Sequence, residues 1–328
     1  MTTTTSRRWT LGLLASTALL PVLALAQTDA WPSKPIRTVV PFPAGGGTDI
    51  VARDVTQKIS AATRWTFVID NKPGSGGNLG IDSAAKAAPD GYSLVIGQTS
   101  NLAINPSLYA KLPYDPVKDL TAIAEVVTQP LLLVAHPSVP AKTFRELLDA
   151  AKLQPNPLSY TSGGPGSYGH LWFEMVAAQQ KVQRQHIGYN GVAPALRDVM
   201  GGQVPVLIDA LVPTGTQVKA GKVQGLAIVR SKRSPMLPEV PTLQEQGMNL
   251  PNAAPFYGVV GPAGLPPAVL QKLNDTLVRA LKSPALQAKL TDMGFDVVAS
   301  SPEEYGRKIR QEIELWSQIV RDNQIKVD

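Results

Sequence analysis

A glycine-rich turn near the amino end of the chain has the residue types that hold an anion. The sequence Val39-Val-Pro-Phe-Pro-Ala-Gly-Gly-Gly-Thr-Asp49 follows an apolar strand and opens a helix with apolar positions at Val51, Val55 and Ile59. The first backbone N–H groups of a helix have no partner within the helix, and the aligned peptide dipoles make that end positive. Three glycines let a ligand approach the backbone, because no Cβ intervenes. The turn therefore predicts an anion-binding helix start.

The lack of a lysine or arginine between Arg37 and Arg53 narrows the chemistry of this turn. A phosphate-binding loop needs a Lys-Ser/Thr pair after its glycines to reach phosphate and magnesium. Here Thr48 and Asp49 follow the glycines instead. We therefore expect reversible binding of a small carboxylate rather than phosphate chemistry.

A second glycine-rich segment, Gly164-Pro-Gly-Ser-Tyr-Gly169, has the spacing G-x-G-x-x-G between a predicted strand and a predicted helix. Dinucleotide binding at such a turn also needs an acidic residue about 20 residues further on to hold the ribose. Residues 185–190 contain no acid, and Pro165 would stiffen the turn. We therefore expect a second anion-accepting helix start, with Ser162, Ser167 and backbone N–H groups as donors, and no nicotinamide cofactor.

The sequence does not match the usual patterns of catalytic and metal-binding sites. A serine nucleophile elbow needs glycine two residues before the serine, and Pro165 occupies that place before Ser167. His136, His170 and His186 are far apart and the chain has no cysteine, so no ligand spacing predicts zinc. We expect no enzyme activity, no metal and no cofactor. His170 keeps two open roles, as a ligand donor at the second helix start or as a structural side chain.

Two further features concern the walls of a ligand cleft. Asp209 follows the apolar residues 204–208, and a carboxylate at a strand end faces the cleft in open α/β sheets. Its alternative role is to cap the helix that begins near Pro213, and both roles stay open. Phe42, Tyr168 and Tyr189 could stack on an aromatic acid or wall the cleft around an aliphatic one, so the sequence leaves the acid unidentified.

The arrangement of predicted elements favours α/β layers on mostly parallel sheets, because short β-branched segments alternate with amphipathic helical ones. Strands are expected near residues 36–40, 66–70, 93–98, 131–137, 158–161, 185–189, 204–210, 225–229 and 257–262. Helices are expected after residue 47, near residues 81–88, 144–152, 171–180, 192–200, 212–220 and 269–282, and from a capping box at Ser301-Pro-Glu-Glu304.

Two apolar strands of similar pattern, residues 131–137 and 257–262, mark where the chain could leave one domain and later return. Each ends at a proline and leads past further proline into a helix. A self-sufficient set of strands and helices lies between them. We therefore predict a discontinuous first domain, residues 27–130 plus 255–328, and an inserted second domain, residues 131–254.

The first 26 residues have the pattern of an export signal, with a basic Ser6-Arg7-Arg8 segment, apolar residues 11–25 and an A-x-A cleavage site. The Arg7-Arg8 pair leaves general and twin-arginine export both open. No later segment reaches the roughly 18 to 20 apolar residues of a membrane-spanning helix. We therefore expect a periplasmic protein that is cleaved after Ala26. The full sequence has a net charge of +6 with scattered charges, so nucleic acid is not an expected partner.

Several segments in the same order resemble the Bug family, the extracytoplasmic receptors of tripartite tricarboxylate transporters. The segments are residues 36–49, 71–80, 88–92, 160–163, 189–191 and 201–204. The resemblance covers the mature chain and implies a type 2 periplasmic binding protein, an α/β fold of two domains hinged by two crossover strands with the ligand cleft between them. Such a receptor, implied to be monomeric, captures a small organic carboxylate and delivers it to the membrane subunits of its transporter.

Carried over residue by residue, the resemblance implies a ligand site built from both domains. Beside Phe42, the first domain would contribute Pro43, Ala44, Gly45, Gly46, Thr48, Asp49, Gly77, Asn78, Gln98, Ser100 and Asn101. The second domain would contribute Ser162, Gly163, Ser167, His170, Tyr189, Asn190 and Asp209. Family receptors commonly have proline at the place of Ala44 and often lysine at the place of Asn190, so this chain lacks the charge for an ion pair at position 190.

Two other functions remain open from the sequence. A loaded receptor could signal to a sensor kinase instead of feeding a transporter. An exported α/β enzyme is a further alternative, although the triad, phosphate-loop, metal and dinucleotide patterns all fail.

Overall fold

A computed structural model describes residues 1–2, 31–250, 254–323 and 325. The predicted signal peptide, residues 1–26, falls almost wholly outside these described residues. Lys34–Asp328 forms one compact unit, and the fold below is that of this unit. Within the described residues, no helix is long and apolar enough to cross a membrane.

Strands and helices alternate along this unit. The strands are β1 (Ile36–Val40), β2 (Phe67–Asn71), β3 (Ser93–Gln98), β4 (Leu120–Thr128), β5 (Leu131–Ala135), β6 (Leu158–Ser162), β7 (Arg184–Ile187), β8 (Val206–Ala210), β9 (Gln224–Val229), β10 (Phe256–Pro262) and β11 (Asp296–Val297). The helices are α1 (Gly47–Ala62), α2 (Asn78–Ala85), α3 (Asn105–Leu108), α4 (Phe144–Lys152), α5 (Tyr168–Gln179), α6 (Val192–Met200), α7 (Leu211–Lys219), α8 (Pro267–Leu281), α9 (Pro284–Asp292) and α10 (Pro302–Asp322).

The strands form two sheets, which we use to define two lobes. The first lobe holds a six-stranded sheet in the order β11-β4-β10-β3-β1-β2. Strands β2, β1 and β3 are parallel, and β10 runs antiparallel between β3 and β4. The second lobe holds a five-stranded sheet in the order β7-β6-β8-β5-β9. Strands β7, β6 and β8 are parallel, and β5 runs antiparallel between β8 and β9. Both sheets therefore place their parallel strands' carboxyl ends along one edge, where α/β proteins bind ligands.

The chain passes between the two sheets twice. The first crossing is short and consists of Gln129 and Pro130, between β4 and β5. The second lies between β9 and β10. The two crossings lie side by side, because the Gln129 N–H donates to the Pro255 carbonyl at 3.0 Å. The predicted domain boundaries lie next to these crossings and stay predictions.

Helix α10 begins as the sequence predicts. The Ser301 hydroxyl accepts from the Glu304 N–H at 3.2 Å, and the Glu304 carboxylate accepts from the Ser301 N–H at 2.8 Å. This confirms the capping box. The buried face of α10 packs on β4, and its Trp316 ring meets the Tyr168 ring of the second lobe edge-on at 4.7 Å.

Candidate functional site

The side chain of Asp49 stabilises the first glycine-rich turn by hydrogen bonds. This buried carboxylate accepts hydrogen bonds from the Gly45 N–H, the Arg53 guanidinium and the Asn71 amide, at 2.9, 2.9 and 3.0 Å. The Asn71 amide also donates to the Phe42 carbonyl. Burial disfavours the charged form of Asp49, but these hydrogen bonds outweigh it and hold the pKa of the carboxyl below its usual value. Asp49 thus stabilises the conformation of the turn.

The turn leaves the start of α1 open. Gly46 is the N-cap residue, and no side chain of the described residues caps the helix. Gly45 has φ +82°, a conformation that favours glycine. A Cβ at Gly46 would meet only the Pro43 carbonyl oxygen, at 3.6 Å. Pro43, Ala44 and Gly45 are exposed, whereas Thr48 is buried. The geometry matches the anion-accepting helix start that the sequence predicts.

A second glycine loop of the first lobe lies beside this turn. A Cβ at Gly77 would come within 2.7 Å of the Asn101 amide nitrogen and 3.2 Å of the Phe42 ring. The Asn101 side-chain oxygen accepts from the Gln98 N–H at 3.0 Å, while its buried amide nitrogen has no partner among the described residues. The buried Ser100 hydroxyl is equally unpartnered there. These donors adjoin the turn at the carboxyl end of β3.

The side-chain oxygen of Asn78 makes hydrogen bonds within the first lobe. Its side-chain oxygen accepts from the Asn105 amide at 2.6 Å and from the Tyr114 hydroxyl at 2.9 Å. The Asn101 carbonyl lies 2.6 Å from the same Tyr114 hydroxyl, so the two oxygens share its single proton. Asn78 therefore supports the second glycine loop from inside the first lobe.

In the second lobe, two serines and two histidines form one network at the end of β6. The Ser167 hydroxyl accepts from the His170 N–H and donates to the Ser162 hydroxyl at 2.9 Å. The Ser162 oxygen lies 2.9 Å from a ring nitrogen of His186, and the His170 and His186 rings stack at 4.0 Å. Ser167 caps α5, so the second helix start has a side-chain cap that α1 lacks.

Burial keeps both stacked histidines uncharged. Desolvation lowers the pKa of His170, and lowers that of His186 to about 3, with the neighbouring His170 adding to the effect. The His170 ring accepts from the Gly166 N–H at 3.1 Å, so this nitrogen is engaged within the turn. The two histidine rings thus pack beside the second turn, where burial favours their uncharged forms.

Asp209 lies at the carboxyl end of β8, next to the second glycine turn. One of its oxygens accepts from the Ala210 N–H at 2.7 Å, and the other lies 2.7 Å from where a Cβ of Gly163 would be. Ala210 is the N-cap residue of α7, so this hydrogen bond lies at the helix start, and the capping role and the cleft role of Asp209 both stay open. Burial raises the pKa of Asp209 to about 7, although hydrogen bonds from Ala210 and Gly163 oppose this.

Tyr189 and Asn190 lie at the rim of the second turn. A Cβ at Gly164 would come within 2.7 Å of the Tyr189 carbonyl oxygen. The Tyr189 hydroxyl donates to Asp198 at 2.5 Å, and Asn190 is exposed. The role of both side chains in ligand binding stays a prediction.

Two residues that the sequence analysis missed lie between the lobes. The Tyr257 hydroxyl donates to the Gln129 side-chain oxygen at 2.7 Å. A Cβ at Gly47 would lie 3.4 Å from both this hydroxyl and the Gln129 oxygen. Burial raises the pKa of Tyr257, and the charge of Asp209 adds to the rise. Gln129 follows Thr128 and precedes Pro130, and this local sequence carries no signal of its role.

Two glycine-rich turns, each at the carboxyl ends of parallel strands in its own α/β lobe, define the class as a two-lobed periplasmic binding protein. The chain belongs to the tripartite tricarboxylate transporter family of receptors, whose model matches residues 51–325. This confirms the resemblance on which the predicted site rests.

Curated and solved relatives agree with this membership. Protein BugT of Bordetella pertussis is 31% identical over 318 residues, which cover 97% of each chain. Rpa4515 of R. palustris, solved with adipate, is 33% identical with a TM-score of 0.85, covering 90% of this chain and 99% of that one. The periplasmic binding protein BugD is 32% identical with a TM-score of 0.82, covering 90% and 99%. MatC from Rhodopseudomonas palustris, solved with bound malate, is 31% identical with a TM-score of 0.80, covering 88% and 100%.

Proposed function

We propose that this chain is a periplasmic receptor that captures a small organic carboxylate between its lobes and delivers it to the membrane subunits of a tripartite transporter. The observation that carries the proposal is the uncapped, glycine-lined start of α1, which leaves backbone N–H groups and a positive helix end open to an anion. Solved relatives that hold adipate and malate support a carboxylate as that anion.

The two lobes contribute unlike groups to the proposed cleft. From the first lobe come the α1 start and the unpartnered donors of Ser100 and Asn101. From the second come Asp209 and the turn around Gly163. Closure of one lobe on the other would bring both sets onto one ligand, and the ligand would favour the closed state by its differential affinity.

Export follows from the same proposal. We propose that residues 1–26 are removed after Ala26 and that the mature chain works as a monomer in the periplasm. Mass spectrometry of the protein from a periplasmic extract should give an amino terminus at Gln27. An intact Met1 terminus in that extract would contradict cleavage.

The ligand-binding assignment is tested at Gly46. A thermal-shift screen over mono-, di- and tricarboxylates, with adipate and malate included, identifies a ligand, and calorimetry gives its affinity. Gly46→Asp should weaken binding by at least about 100-fold, because a carboxylate beside the helix start repels the anion that the helix dipole attracts. Gly46→Ala adds bulk without charge and should weaken binding less.

Gly306→Asp provides the matched control, because this α10 glycine has similar space for a Cβ and lies far from the turn in sequence. It should leave affinity unchanged. Wild-type affinity in Gly46→Asp would show that the α1 start does not hold the ligand.

Delivery to the transporter is tested separately. Uptake of the identified acid should fail in a strain that lacks the chain and return with the wild-type gene.

A further inference from the structure

The Gln129 amide is a buried group that is only half satisfied. Its side chain is fully buried, at 0% exposure. Its oxygen accepts from the Tyr257 hydroxyl, while its amide nitrogen has no hydrogen-bond partner among the described residues. Buried donors are normally paired, since an unpaired one loses its hydration without compensation. An unpaired donor of this kind therefore indicates a missing acceptor.

The position of Gln129 places this donor beside the proposed anion site. The amide oxygen lies 3.4 Å from where a Cβ of Gly47, the first residue of α1, would be. Tyr257 holds that oxygen and thereby fixes which way the amide points. Because the unpaired nitrogen is bonded to the same carbon as this oxygen, it lies in the neighbourhood of the uncapped helix start.

Asp209 lies close to the same point from the other lobe. Strand β8 pairs with β5 directly after the first crossing, with Leu132 opposite Asp209. The Leu211 N–H donates to the Pro130 carbonyl at 3.0 Å, which extends this pairing up to the crossing itself. The charge of Asp209 also acts on the Tyr257 hydroxyl. Asp209 is thus near enough to affect the Tyr257 hydroxyl, and this hydroxyl contacts Gln129 directly.

Each class of acid would leave a different group unpaired in this region. An unsubstituted monocarboxylate held at α1 pairs neither Gln129 nor Asp209. At a pH above about 7, where Asp209 is ionised, a second ionised carboxylate accepts from Gln129 but repels Asp209. An ammonium group donates to Asp209 but has no lone pair for Gln129. A hydroxyl accepts from Gln129 and donates to Asp209, because one oxygen carries both capacities.

We infer that Gln129 and Asp209 together select hydroxycarboxylates, by pairing the hydroxyl of a ligand whose carboxylate is held at the start of α1. Tyr257 is the positioning residue that orients the Gln129 amide. This inference rests on the proposed function and adds the substrate class. Sites built to pair a ligand hydroxyl discriminate against analogues that lack it, because their own polar groups are then left unpaired.

The test compares matched acids on the mature protein by calorimetry. For chain lengths from propionate to hexanoate, the panel contains the unsubstituted acid, its 2-hydroxy and ω-hydroxy forms, the ω-amino acid and the diacid. Measurements are made at about pH 8, where Asp209, with a pKa of about 7, is ionised. The wild-type protein should bind at least one hydroxy acid about tenfold or more tightly than its unsubstituted, amino and diacid counterparts.

Three variants then assign the preference to residues. Gln129→Leu and Asp209→Asn should each reduce the ratio of hydroxy-acid to unsubstituted-acid affinity by about tenfold, because each removes one group that pairs the ligand hydroxyl. Tyr257→Phe should reduce the same ratio by a smaller factor, because the amide loses only its orientation. Gln183→Leu, at an exposed glutamine before β7, is the matched control and should leave the ratio unchanged.

The outcomes separate this inference from the proposed function. Binding of plain acids or diacids with no hydroxyl preference, or a preference that survives both Gln129→Leu and Asp209→Asn, overturns the inference and leaves the carboxylate receptor intact. Failure of every acid in the panel, while another carboxylate of the thermal-shift screen binds, overturns the inference alone. Failure of every carboxylate in both sets overturns both. A variant that loses the unsubstituted acid as well has lost the site as a whole, and the ratio in the milder Tyr257→Phe protein then decides.

Discussion

Among single residues, Asp209 has a partly buried carboxyl beside the crossing between the lobes. Its pKa in the folded protein lies at about 7, above the ordinary value of 3.8, so the folded state holds the proton more tightly than the unfolded chain. The stabilisation from this proton is complete below the ordinary value and is lost as pH rises through about 7. Asp209 thus makes the ligand-free protein less stable at neutral pH than at acid pH.

The substitution Asp209→Asn removes this proton linkage. Relative to the wild type, the free energy of unfolding of the ligand-free variant should improve as pH rises between 3.8 and about 7. The relative gain should be on the order of 2 kcal/mol, because one pKa unit corresponds to about 1.4 kcal/mol and partial solvent access reduces the effect. Urea unfolding at a series of pH values gives the two curves. Parallel curves would mean that Asp209 titrates normally.

The candidate site also shows which residues a sequence can reveal. Glycine turns are visible because backbone approach and left-handed conformations require glycine, and the turn at Gly45 was predicted for that reason. Asn78 was predicted to wall the ligand, yet its side chain is occupied by Asn105 and Tyr114. Gln129 was missed, because its role arises only when the two chain crossings lie side by side. The local sequence pattern thus predicts neither the direction of a side chain nor its contacts with residues distant in sequence.

At the scale of whole elements, β4 is the main strand that the sequence analysis did not predict. It carries two alanines and Glu125, residue types that are depleted in strands. In the structure it pairs with β10 and β11 and is covered by α8 and α10. Tertiary burial therefore overrides a weak local preference. The central strands with continuous β-branched or aliphatic residues, such as β3, were placed correctly because their pattern and their burial agree.

Glu125 makes β4 sensitive to pH. It is 7% exposed and faces α10, where Lys308 and Glu312 act on it. Burial raises its pKa above 4.5, with Glu312 adding to the rise and Lys308 opposing it. Stability from its proton is therefore present below pH 4.5 and lost as pH rises through the raised pKa. Glu125→Gln should raise the free energy of unfolding at neutral pH by about 1 kcal/mol, since a buried charge is replaced by a neutral amide.

The same experiment has an internal control of opposite sign in the capping box of α10. The N–H and hydroxyl of Ser301 lower the pKa of Glu304, so its contribution is present above 4.5 and lost as pH falls. Glu304→Gln should therefore destabilise the protein most at neutral pH and least in acid. Thermal unfolding of both variants from acid to neutral pH should give differences of opposite sign. A stabilised Glu125→Gln protein at acid pH alone would contradict the burial argument.

On the scale of the whole molecule, one hydrophobic cluster contains residues of both sheets, and Trp316 is a large side chain within it. Trp316 of α10 is 1% exposed and packs edge-on against Tyr168 at the start of α5. Its indole N–H donates to Glu312 at 2.7 Å, which fixes the ring on its own helix. The ion pair of Arg230 and Asp296, at 3.0 Å, joins the two sheets as well, but both side chains are partly exposed. Exposed ion pairs contribute little to stability, so Trp316 is the stronger link.

Removal of this ring should uncouple the lobes. Trp316→Ala should lose about 3–5 kcal/mol, the usual cost of deleting a buried aromatic side chain, and calorimetry should resolve two unfolding transitions where the wild type shows one. Trp65→Ala, which deletes a partly buried tryptophan of the first lobe beside Phe67, is the matched control and should lower a single transition. One transition in both variants would show that the crossings alone couple the lobes.

The ligand identified by the screen turns this variant into a test of where binding occurs. An acid held by both lobes bridges them, so at 100 times its dissociation constant it should add about 2.7 kcal/mol to the unfolding free energy. In Trp316→Ala the same acid should merge the two unfolding transitions into one, because unfolding of either lobe then releases the ligand. An acid that binds one lobe alone would raise only that lobe's transition and leave the other in place. Merging therefore requires a ligand that contacts α1 and the Asp209 turn at once, and a persistent separation would place the site within a single lobe.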